Sequence, residues 1–168
     1  MTKKTPPNAA GFFFSGRCRS QTVGLRFTGL DIPPGAVIEN AYIQFTVDET
    51  TDIDPCHLSI YGEAADNAAD FDSIPLNITT RLRTGNSVAW APVAWPTVGE
   101  AGADQRTPDI SAVLQEIVNR PGYTATSAIV IMMEGTGRRT AVSFDGIPAS
   151  APKLCVDYLS GDPASISV

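Results

Sequence analysis

Apolar and polar residues alternate along much of the chain at the two-residue period of a β-strand. Val23, Leu25 and Phe27 fall on one face of a short segment, because successive side chains of a strand point to opposite sides. The pattern is clearest over residues 40–47. There Ala41, Ile43, Phe45 and Val47 are predicted to point inward, and Asn40, Tyr42, Gln44 and Thr46 outward. Residues 58–62 repeat it, with Leu58 and Ile60 inside. Asp31-Ile-Pro-Pro-Gly35 reads as a turn between strands. One polar and one apolar face per strand predicts antiparallel sheets packed face to face.

Other segments depart from that period. Ile110, Val113, Leu114, Ile117 and Val118 recur at helical spacing and predict one short α-helix around residues 108–120. Thr107 is placed as its N-cap, Pro108 at the first helical position and Asp109 at the positive end of the helix dipole. Pro121-Gly122 stops it. Residues 128–133 are almost wholly apolar, as expected for a central strand buried on both faces. Residues 63–87 are weakly patterned and read as a long excursion. Residues 87–90 resume as a strand, residues 93–95 are a further candidate, and residues 141–144 and 153–158 are read as closing strands. The prediction is an all-β antiparallel sandwich over residues 22–159. It is preceded by an atypical segment or edge strand, 1–21, and followed by a linker stub, 160–168.

Composition narrows the function classes. The chain has 168 residues, 43% hydrophobic and 18% charged, enough to bury a core and too apolar for a disordered segment. No apolar run approaches the ~20 residues of a membrane span. A net charge of -6 argues against nucleic acid, whose binding relies on a concentrated basic surface. Met1-Thr-Lys-Lys resembles the start of a signal peptide, but the apolar stretch that follows is only Phe12-Phe13-Phe14, interrupted upstream by Pro6, Pro7 and Asn8. Two readings follow: an excised piece of a longer precursor, or a non-native start. Cys18, Cys56 and Cys155 permit one disulfide with one thiol over; a Cys56–Cys155 bridge is one option.

The second half carries a resemblance. Thr107-Pro-Asp-Ile-Ser-Ala-Val-Leu-Gln-Glu-Ile-Val-Asn, a buried strand, Ser143-Phe-Asp-Gly and Ala151-Pro-Lys-Leu-Cys-Val-Asp-Tyr158 resemble DNRLRE-type and related carbohydrate-binding-module-like jelly-roll domains. The earlier run Ile32-Pro-Pro-Gly-Ala-Val-Ile-Glu-Asn-Ala-Tyr-Ile-Gln-Phe45 is similar to the opening strands of that family. The likeness spans roughly residues 22–158 and rests on core and turn positions. It implies a jelly roll within a large secreted or cell-surface bacterial protein, attached to neighbouring domains of a longer chain. It implies glycan binding more loosely. Residues 1–21 depart from it, and Phe12-Phe13-Phe14 are the candidates for a replacement opening strand.

Candidate chemistry is sparse. His57 is the single histidine, and nucleophile-elbow, phosphate-loop and zinc-ligand patterns are missing, so the chain is expected not to be an enzyme. Asp48, Glu63, Asp66 and Asp104 lie in acidic loops that read either as solvated surface or as ligands for a structural Ca2+. Calcium often sits near a sandwich end in modules of the resembled kind. For a glycan, Tyr42 and Tyr61 offer outward rings, with Gln44 and Arg26 as polar partners on the same face. Trp90 and Trp95 are either platforms or core. Arg81, Arg83, Arg138 and Arg139 would form a basic patch if their loops met. The expected function is a non-catalytic accessory module binding a polysaccharide or cell-surface glycan. The alternative is an adhesive spacer or self-assembling extracellular subunit, built on an open strand edge near the amino terminus.

Overall fold

The computed structural model describes residues 2–4 and 21–160. Seven strands appear in the order β1 (Thr2–Lys4), β2 (Gln21–Phe27), β3 (Val37–Gln44), β4 (Val47–Glu63), β5 (Arg83–Trp90), β6 (Ile129–Ala141) and β7 (Lys153–Leu159). One helix, α1 (Ser111–Val118), lies between β5 and β6. The strands form a three-stranded sheet ordered β1-β7-β3 and a four-stranded sheet ordered β2-β6-β4-β5. All their pairings are antiparallel, so the fold is the all-β sandwich that the alternation predicts. The expected opening strand around Phe12-Phe13-Phe14, the thiol of Cys18 and the stub from residue 161 onward lie outside the described residues.

The core forms where the two sheets face each other. Ala41, Ile43, Leu154 and Val156 come from one sheet and Leu25, Phe27, Ile60, Ile129, Ile131 and Met133 from the other, all in one buried cluster. The inward residues expected at 41, 43, 45 and 47 are all buried, but they do not share one strand. The chain leaves β3 after Gln44 and starts β4 at Val47, so Phe45 and Thr46 carry it from one sheet to the other. β4 is irregular where it starts, with register shifts against β6 between residues 47 and 57. Bulges of this kind bend and twist a strand.

β6 is buried on both sides for a specific reason. Ile129, Ile131 and Met133 face the core, while Val130 and Met132 join Ala68, Phe71 and Ile78 in a second cluster. Residues 64–82 of the excursion supply that cover. Gly24 of β2 lies beneath it, so close that an added Cβ would stand 2.7 Å from the Phe71 ring. The expected bounds of the excursion change accordingly: β5 begins at Arg83, not at residue 87, and residues 93–95 are loop. The strand expected at 128–133 runs on through Gly135 and Gly137 to Ala141, and the closing strand expected at 141–144 is not formed, since residues 142–144 are loop and turn.

The helix exists with its predicted stripe, and Val113, Leu114, Ile117 and Val118 are buried. Its start is later than predicted, with Ile110 at the N-cap position. Thr107 serves β3 instead, and Asp109 serves both β3 and the helix start. The Thr107 hydroxyl accepts the Ile43 N–H at 3.0 Å, Asp109 accepts the Ala41 N–H at 3.0 Å, and Gln115 accepts the Ile38 N–H at 2.8 Å. Backbone bonds from Phe45 to Gln105 and from Ile110 to Ala41 complete the seam. The outer edge of β3 is thereby paired, which removes an edge that would otherwise template another strand. Glu116 does similar work on β5, accepting the Gly85 and Asn86 N–H groups at 2.7 and 2.9 Å. Those bonds hold its carboxyl below the usual range.

Cys56 and Cys155 are free thiols, so the optional bridge between them is not formed. They lie on β4 and β7, strands of different sheets. No helix among the described residues is long and apolar enough to cross a membrane.

Candidate functional site

The six residues expected to contact a ligand separate into three places. Tyr42 and Gln44 share the outer face of the three-stranded sheet, since their neighbours Ala41 and Ile43 point into the core. Tyr61 lies on the other sheet, opposite Met132 on its outer face, and Arg26 is opposite Val130 on that same face. The two tyrosines therefore do not form one platform. Arg26 bonds the Ala68 carbonyl at 3.1 Å and pairs with Asp70 at 2.8 Å, which ties down the excursion. The Tyr61 ring lies under Arg83 at 5.3 Å, and Arg83 pairs with Glu134.

Trp90 and Trp95 are packing residues, 8% and 2% exposed. Both stack around Phe45, with centroids 5.7 and 6.1 Å from its ring. The Trp95 indole N–H donates to the Asp104 carbonyl, and its backbone N–H donates to Asp52. The three rings line one wall of a cleft of about 340 Å³ that also touches Leu25, Leu58 and Met133. Cys56 lines it too, and burial pushes its thiol up, away from the reactive thiolate.

The carboxylates expected to hold calcium do not meet. Asp48 and Glu63 stand at opposite ends of β4. Glu63 pairs with Arg81 at 2.7 Å and Asp66 with Arg120 at 2.6 Å, while Asp104 is exposed in a short 3-10 turn. Among the described residues no group of three or more His, Cys, Asp or Glu is placed to hold a metal ion. The expected basic patch is dispersed as well. Arg81 and Arg83 have their own acids, and Arg139 is gripped by Asp52 and Asp54.

A different constellation comes together on the three-stranded sheet. The Arg106 guanidinium lies 4.2 Å above the Tyr42 ring, a stacked arrangement favoured by the ring quadrupole. Arg106 also donates through Nε to Gln44 Oε1 at 3.3 Å, and Gln44 Nε2 donates to the Gly102 carbonyl at 2.9 Å. A bridge between the backbones of Gln44 and Arg106 fixes their relative position. Lys153 stands directly opposite Gln44 on β7, and Cys155 opposite Tyr42. A hydrogen bond with Cys155, reinforced by burial, holds the Tyr42 hydroxyl above the ordinary tyrosine range, so it remains a neutral donor. Farther along, Asn40 donates to Asp157 at 3.2 Å.

Sequence reasoning found Tyr42 and Gln44 because they are two apart on one strand. It missed Arg106 and Lys153, which arrive from segments more than sixty residues away. Arg106 gave one usable signal, its place just ahead of the Thr107-Pro108-Asp109 run that pairs with β3. What the face offers chemically is the Tyr42 ring stacked under the Arg106 guanidinium, whose terminal nitrogens are donors, with Lys153 opposite Gln44 as a second cationic donor; the Gln44 amide is spent on holding Arg106 and the Gly102 carbonyl. No family model and no curated protein matches the chain.

Proposed function

We propose that this chain is a non-catalytic binding module that takes a glycan on the outer face of its three-stranded sheet. The observation that carries this reading is the contiguity of Tyr42, Gln44, Arg106 and Lys153 on one side of β3 and β7. Sugar hydroxyls need planar donors and acceptors, and the apolar face of a sugar ring needs an adjacent flat surface. The terminal nitrogens of the Arg106 guanidinium, held in place by the Gln44 amide, supply the donors, and the Tyr42–Arg106 stack supplies the flat surface. The resemblance to jelly-roll modules of secreted bacterial proteins supports placing it as an accessory domain outside the cell.

Affinity electrophoresis of the purified chain tests this, with a panel of neutral and acidic polysaccharides cast into native gels. Retardation by at least one polymer is expected, and the variant Tyr42→Ala should migrate freely while still unfolding cooperatively. A wild-type chain that migrates freely in every gel refutes the reading.

A further inference from the structure

We infer that the face around Tyr42 selects an acidic glycan, one whose sugars carry carboxylates. This rests on the glycan reading above and narrows it.

The argument is one of charge pairing. The chain carries a net charge of -6, and most of the cations within residues 22–160 are already committed. Arg26, Arg81, Arg83, Arg120 and Arg139 each hold an aspartate or glutamate. Among residues 22–160, Arg106, Arg138 and Lys153 hold none. Arg138 spends its Nε and one terminal nitrogen on the Thr51 carbonyl. Arg106 and Lys153 are therefore two cations without an ion pair among the described residues, and both flank Gln44 on the same sheet face. In an acidic protein a random surface location would be expected to find its counter-charges nearby, and Asp104 and Asp157 are indeed close in sequence to the two cations. Neither forms an ion pair with them; Asp157, which accepts from the Asn40 amide, keeps its charge farther along the same face.

The Arg106 guanidinium is also oriented in advance. Its plane is fixed by the Tyr42 ring and its Nε by Gln44, which leaves the terminal nitrogens as the fork that matches a carboxylate. Holding the fork in place before binding lowers the ordering cost of the contact. A polysaccharide fits better than nucleic acid, because two cations and an overall negative charge give too little counterion release to hold a duplex or a long single strand.

Two polymers with the same backbone separate the possibilities: polygalacturonate, and the same polymer fully methyl-esterified so that its carboxylates are neutral. Binding to the acid form is expected to be about tenfold tighter at low salt, since each exposed charge contact contributes a factor of a few. The double variant Arg106→Gln, Lys153→Gln should bind acid and ester equally, and the ester more weakly than the wild-type chain does, because the Tyr42–Arg106 stack is lost with it. Equal binding of acid and ester by the wild-type chain would overturn the charge selection and leave the glycan reading standing. No binding to either form, or to any neutral polysaccharide, would remove the glycan reading itself. Single-stranded DNA of matched charge competing as well as polygalacturonate would also overturn the inference, by showing a generic polyanion surface.

Discussion

Asp109 accepts the backbone N–H of Ala41 across 68 residues of sequence, at 3.0 Å, while its two oxygens also take the Ser111 N–H and hydroxyl. One carboxylate thus fastens the helix start to the outer edge of β3. Burial alone would raise its pKa, but the bonds from Ala41 and Ser111 outweigh that and bring it below the ordinary value.

The sign of the resulting pH dependence follows. A carboxyl whose folded pKa is depressed contributes stability in full above its unfolded pKa of about 3.9. That contribution is lost as pH falls from there through the depressed folded value. Asp109→Ala should cost about 1–3 kcal/mol at neutral pH. The gap from wild type should narrow as pH falls below about 4, as read from urea denaturation at stepped pH. A constant gap would show that the lost bonds are not carried by the ionised form.

Arg139 has a different task. Its side chain is 4% exposed, and it pairs with Asp52 and Asp54 while donating to the carbonyls of Pro92 and Val93. It binds the irregular first part of β4 to the loop that carries Trp95. Arg139→Met keeps the stem but leaves the largely buried Asp52 without its cation. Removing one partner of a buried pair costs about 3–5 kcal/mol, and denaturant unfolding should show a loss of that order. Tryptophan fluorescence should change as well, since Asp52 also accepts the Trp95 N–H. A loss of under about 1 kcal/mol would mean the site behaves like an exposed pair.

Gly24 tests the cover over β6. A side chain there meets the Phe71 ring, so Gly24→Val should push the excursion away while Leu25 and Phe27 stay in the core. Overpacking of this kind costs about 1–3 kcal/mol. Hydrogen exchange should accelerate within residues 64–82 and stay slow in β3 and β7. Uniform acceleration through both sheets would show that the excursion and the core unfold as one unit.

The contrast between what was readable and what was not has a physical basis. Ala41, Ile43, Leu58 and Ile60 were legible because burial of one strand face writes a local two-residue period. The α1 stripe was legible for the same reason at helical period. The start of α1 was misread because Thr107 and Asp109 are good cap residues whose acceptors are used by β3, a choice made by a strand over sixty residues away. β6 was read as ending at residue 133 because Gly135 and Gly137 interrupt its apolar run, although the strand continues past them to Ala141. The tyrosines were grouped because both alternate outward, and alternation cannot say to which sheet a strand belongs. The chain changes sheets between Gln44 and Val47, and that crossing separates Tyr42 from Tyr61.

Residues 64–82, lying over Val130 and Met132, have a consequence for how the molecule can be handled. They give the sandwich a back and a front: one broad surface carries a strapped-down layer of its own chain, and the opposite one carries the Tyr42–Arg106 stack. Attachment chemistry directed at Ser73 or Thr79, both exposed on the strap, would orient immobilised molecules with the front outward. Coupling through Lys153 would turn the same molecules face-down on their support.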